Sequence, residues 1–114
     1  MTQPRNVMKS LRVKDYLKVQ RIETTIQSLS GAGAVDIVND ITELTTTGAD
    51  ALTLADGVTG QKKIVKMISD GGDGTLTPAN FLDGTTLTFD NTDYAILYFN
   101  GSNWCLIGGN AAVA

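Results

Sequence analysis

Apolar and polar residues alternate in short runs along most of this chain, and each run ends at a cluster of Gly, Asn, Asp or Pro. From Leu11 the odd positions read Leu11, Val13, Asp15, Leu17 and Val19 with charged residues between them, closer to strand alternation than to a helical stripe. Residues 28–34 (SLSGAGA) are small and read as a hinge. Beyond it, Val35, Ile37 and Ile41 form a first apolar segment, and Leu52 and Leu54 alternate with Thr53 until Asp56-Gly57 ends the run. Lys63 to Ser69 puts Val65 and Met67 on one face and Ile64 and Ile68 on the other. The cluster from Ser69 to Gly74 predicts a tight turn, and Pro78 limits the strand after it. Leu87 and Phe89 alternate with Thr86 and Thr88. Tyr94 to Phe99, the loop Asn100-Gly101-Ser102-Asn103 and Trp104 to Ile107 together predict a β-hairpin.

Fifteen threonines suit the exposed faces of strands, and no eleven-residue window beyond the hinge keeps a 3.6-residue apolar period. Turn signals recur at about the 8–12-residue spacing of a sandwich or barrel. The expected fold is therefore all-β: a single β-sandwich or jelly-roll-like body over residues 35–114, preceded by an extended N-terminal arm and hinge over 1–34. Its expected core includes Leu54, Ile64, Ile68, Leu87, Phe89, Leu97 and Trp104. The Thr-Leu-Thr pattern is too irregular to read as a solenoid repeat.

Composition narrows the function. A chain of 114 residues supports one domain, and no run approaches the roughly 18 apolar residues of a membrane span. Residues 1–20 lack the apolar block of a signal peptide. The chain has no histidine and one cysteine, Cys105. That removes His-activated nucleophiles, His-ligated metals, an intrachain disulfide and a Cys-rich zinc site. No enzyme, cofactor or metal site is expected.

Charge is divided between the segments. Residues 1–25 carry Arg5, Lys9, Arg12, Lys14, Lys18 and Arg21 against Asp15 and Glu23, a net of +4, while the remainder carries −7. Such a split marks a basic arm and an acidic body with different surroundings. Nucleic acid is not the expected target of the arm, because the arm holds one aromatic, Tyr16, and the body would repel the same polyanion. An acidic protein surface or neighbouring subunit fits better.

Other motifs fail on spacing. Gly31-Ala32-Gly33 lacks the third glycine of a dinucleotide fingerprint, since Asp36 stands in its place. Gly57 to Lys62 lacks phosphate-loop spacing, and Lys63 stands where a Ser or Thr is needed. Asp70 to Gly74 departs from the EF-hand order, with Phe81 at the closing position, and reads as a surface turn. Asn100-Gly101-Ser102 has the form of a glycosylation acceptor but is accounted for by the hairpin. Cys105, between Trp104 and Leu106, reads as a buried thiol, and Tyr94, Tyr98, Phe99 and Trp104 read as core or subunit interface.

A set of segments in the second half carries a resemblance: Leu52 to Gly57, Gly60 to Val65, Gly72 to Asn80, Thr85 to Asp90, Gly101 to Trp104 and Gly108 to Asn110. Together they resemble a β-rich domain of structural proteins of tailed bacteriophages, the cyanophage-like ones in particular. Val13 to Val19 is similar to the segment that opens such virion proteins. The resemblance implies a small virion protein without enzymatic activity, made in the host cytoplasm and acting as a symmetric oligomer.

Because the domain stands behind an arm of about 30 residues and no shaft, the expectation is a capsid decoration (cement) protein on the capsid exterior, stabilising contacts between major capsid subunits. A tail or fibre protein and a small soluble ligand-binding module are the alternatives. Arg5, Lys9, Arg12, Lys14, Lys18 and Arg21 are expected to supply charge toward the major capsid protein. Leu11, Val13, Leu17 and Val19 would add apolar contact or pair with a sheet edge. A homo-oligomer, a trimer, is expected because strands such as Ile64 to Ile68 are apolar on both sides. No small-molecule, nucleic-acid or membrane partner is expected.

Overall fold

The computed structural model describes residues 25–114, which form ten strands and no helix among the described residues. These are β1 (Ile26–Ser30), β2 (Gly33–Val35), β3 (Ile41–Thr45), β4 (Asp50–Leu54), β5 (Lys62–Ser69), β6 (Gly74–Pro78), β7 (Leu87–Phe89), β8 (Tyr94–Phe99), β9 (Trp104–Gly109) and β10 (Ala112–Val113). They build two five-stranded sheets. The front sheet has the order β1-β3-β5-β8-β9, and the back sheet β10-β7-β6-β4-β2.

From β1 to β6 the chain passes alternately from one sheet to the other. As a result β1, β3 and β5 pair in parallel in the front sheet, and β2, β4 and β6 pair in parallel in the back sheet. The second half closes each sheet with antiparallel partners: the β8–β9 hairpin on β5, and β7 with β10 on β6. The expected two-sheet sandwich is present. Its connectivity differs from a jelly roll, whose strands pair antiparallel. The three coil-like passes have unequal lengths, so the parallel stacking leaves no fixed period in the sequence.

Side chains alternate between the space separating the sheets and the outside. The core between the sheets holds Leu44, Leu52, Leu54, Val65, Met67, Leu76, Leu87, Phe89, Leu97 and Trp104, all at most 1% exposed. Fully burying such a side chain contributes roughly 1.5–3 kcal/mol. Trp104 packs edge-on against Phe99, with ring centroids 5.3 Å apart, and its indole N–H donates to the Ala55 carbonyl at 2.8 Å. The hairpin loop is held by Asn100, whose Oδ1 accepts from the backbone N–H groups of Ser102 and Asn103.

Two sequence expectations are corrected. Ile64 and Ile68 do not enter the core: Ile64 is half-buried on the outer face of β5, and Ile68 is 51% exposed. Both faces of β5 are apolar, so alternation alone cannot choose between them. The inward set is Lys63, Val65 and Met67, and a buried lysine is admitted because polar groups at that end of the sandwich satisfy it. Residues 28–34 are not a hinge; they complete β1, turn at Gly31 and form β2. Gly31 has φ 77° and donates its N–H to the Thr45 carbonyl at 2.9 Å, while Leu29 packs on the core. Backbone pairing with β3 and β4 orders a segment that its small side chains alone would leave loose.

Candidate functional site

The outer face of the front sheet departs most from what an isolated sandwich requires. Strand register places Ile26 opposite Ile41, Ile41 opposite Ile64, and Ile64 opposite Ile96, with Gly108 next in line. Four isoleucines therefore form one straight row across β1, β3, β5 and β8, on the side turned away from the core. Ile26 is 49% exposed, and the other three are half-buried. β-branched side chains are stiff and pack well on a pleated surface, so the row is a firm, low-entropy apolar strip. Ile68 and Ile107, 51% and 59% exposed, extend apolar character along β5 and β9.

Polar and aromatic groups flank the strip. On one side Ser28, Glu43, Lys66 and Tyr94 stand in register. The Lys66 ammonium lies 5.5 Å from the Tyr94 ring centroid and donates to the Thr92 carbonyl at 2.5 Å. On the other side Lys62 pairs with Tyr98, and Tyr98 with Cys105. The Cys105 thiol is buried and donates to the Asn103 carbonyl at 3.7 Å. An open depression of about 690 Å³ adjoins the row, sharing Ile41 and Ile64 with it and bounded by Val58, Gln61, Asp40 and Lys62. Gln61 holds that loop in place by donating to the Ile37 carbonyl at 2.6 Å and accepting from the Val58 N–H at 3.0 Å.

The back sheet presents a different surface. Its outer rows read Ala51, Thr75, Thr88 and Ala112, then Ala34, Thr53 and Thr77. This is the small, polar-capped face expected of a solvated sheet.

Acidic groups gather at one end of the sandwich, where β5 leads into β6. One carboxylate oxygen each of Asp70, Asp73 and Asp90 lies within 4.8 Å of the others, all three residues being exposed or partly so. Asp70 is engaged in the turn, its Oδ1 accepting from the Gly72 N–H at 2.9 Å, and Asp93 closes the next turn by accepting from the Asp90 N–H. The hydroxyl of Thr46 is 3% exposed as a residue; it donates to the Gly72 carbonyl at 2.6 Å and accepts from the Gly71 N–H, clamping the same turn.

The opposite end, where β1 begins, carries the second polar cluster. Asp36 accepts from the backbone and side-chain N–H groups of Asn39, and Lys63 donates to Asp36 and to the Asn39 carbonyl. Gln27 and Thr42 complete it: Gln27 Oε1 accepts from the Asp36 N–H and from the Thr42 hydroxyl. These groups satisfy one another within the fold.

The expected anchor residues Arg5, Lys9, Leu11, Arg12, Val13, Lys14, Leu17, Lys18, Val19 and Arg21 all lie outside the described residues. The isoleucine row was not recognised in the sequence as a site, because its members sit far apart in the chain and meet only through register. The signal available was the two-sided apolarity of Ile64 to Ile68. No family model matches the chain, and no curated protein matches it.

Proposed function

We propose that this chain is a non-catalytic structural protein of a phage virion: a capsid decoration (cement) protein that assembles as a trimer on the outer shell and holds neighbouring major capsid subunits together. The observation that carries the assembly part is the isoleucine row, an apolar strip outside the core of a domain that already has a complete core. The virion setting is supported by the resemblance of roughly residues 45–110 to phage structural domains. The absence of histidine and the failed motif spacings favour a protein that binds over one that catalyses.

In this reading the body and the arm divide the work. The sandwich is a rigid block whose exposed strip meets other subunits. The six basic residues of positions 5–21, with the apolar residues between them, grip an acidic surface of the major capsid protein.

The test is co-sedimentation of the purified full chain with emptied, undecorated capsids of the same phage. Saturable binding that weakens as salt rises is expected, because exposed charges are screened over about 10 Å at 0.1 M. A full chain that stays in the supernatant at every salt concentration contradicts the reading.

A further inference from the structure

We propose that the outer face of the front sheet is the seam through which copies of this chain join, the isoleucine row of one copy packing on the same row of the others. The proposal deepens the assembly reading above and takes from it only the number of copies, three.

Three features of this face point to a second copy of the chain as its occupant. The first is area. Five strands spaced about 4.8 Å apart span roughly 24 Å, and the eight residues of β5 rise roughly 26 Å. The footprint is on the order of 600 Å² per copy, so three copies facing one axis bury about 1,800 Å² in all, shared over three contacts that must close together. The second is charge. Of the ten acids beyond residue 25, only Glu43 stands on a strand of this face, and it is in register with Lys66. Two bodies of net −7 repel least when they meet here, and Glu43 of one copy finds Lys66 or Lys62 of another. The third is rigidity: isoleucines pinned across four hydrogen-bonded strands lose little conformational freedom on docking.

The experiment is native mass spectrometry and light scattering of the full chain at about 10 µM, where a seam with a low-micromolar or tighter dissociation constant is populated. The wild type is expected at three times the chain mass. Ile41→Lys and Ile64→Lys are each expected to raise the dissociation constant roughly 30-fold or more, the size of an interface hot spot. Thr77→Lys, on the outer face of the back sheet, is expected to leave the mass unchanged. A β-type circular dichroism spectrum with a cooperative melt shows that the dissociated variants are folded. Ile64→Thr, which keeps the β-branch, gives the same reading if the lysine variants do not fold.

A wild type that is monomeric overturns the proposal. So do isoleucine variants that keep the wild-type mass, and so does a Thr77→Lys chain that dissociates while they do not. No capsid enters this measurement, so its failure is distinct from failure of the decoration reading. A trimer that binds no capsid defeats decoration and leaves the seam, and a monomer that binds capsids does the reverse.

Discussion

The ammonium of Lys63 is shut off from solvent, donating to the Asn39 carbonyl at 2.6 Å and to Asp36 Oδ1 at 3.3 Å. Burial drives its pKa below 10.5, and the charges of Asp36 and Asp40 restore part of the loss. For Asp36, burial works to raise the pKa, but hydrogen bonds from Asn39 and the charge of Lys63 outweigh it and hold the carboxyl below 3.8. A carboxyl whose folded pKa is depressed stabilises the fold above its unfolded value and loses that contribution as pH falls through the folded one. The melting temperature is therefore expected to drop as pH is taken below about 3.8, and Asp36→Asn to flatten that limb in a calorimetric pH series. The Lys63 shift has the same sign: folding favours loss of its proton, so stability rises as pH climbs through its lowered pKa toward 10.5. At neutral pH Asp36→Asn is expected to cost about 1–3 kcal/mol, since it leaves a buried charge under-satisfied. Lys63→Met removes the charge itself and is expected to cost less in the same denaturant titration. Trp104→Ala, which empties the largest fully buried site, is expected to cost about 3–5 kcal/mol.

Among the elements, the turn between β5 and β6 fixes how the two sheets meet. A Cβ on Gly72 would lie 2.4 Å from the Gly48 carbonyl carbon, and one on Gly71 would lie 2.3 Å from the Thr46 carbonyl oxygen. Two backbones touch there, so Gly72→Ala is expected to cost about 1–3 kcal/mol by overpacking, read as a lower urea midpoint with an unchanged slope. The turn was legible in the sequence because its Asp and Gly residues act locally. The β8–β9 hairpin was legible for the same reason, Asn100 and Gly101 supplying the loop and Trp104 the inward anchor. The pairing of β1 with β3 and β5 was not legible, because parallel partners are set by register between distant segments. The inward face of β5 was hidden by its two-sided apolarity, and the pairing of β1 and β2 was hidden by side chains too small to signal a strand.

For the whole molecule, the same two gaps explain what the sequence showed of function. The basic arm and acidic body were visible as charge arithmetic. The isoleucine row appeared only once β1, β3, β5 and β8 were set side by side. Arm and seam have separable roles in the proposed assembly. Deleting residues 1–24 is expected to leave the ten-strand body folded and trimeric, because its core and isoleucine row lie beyond them, while capsid affinity falls. A truncated chain with unchanged capsid affinity would make the body the anchor.

The most direct test is an image reconstruction of undecorated capsids incubated with the full chain. Added density at three-fold positions of the outer shell is expected, with the front sheets of three copies facing a common axis and their arms laid across neighbouring capsid subunits. Density confined to the tail or fibre attachment site, or a bare shell at saturating protein, would contradict it.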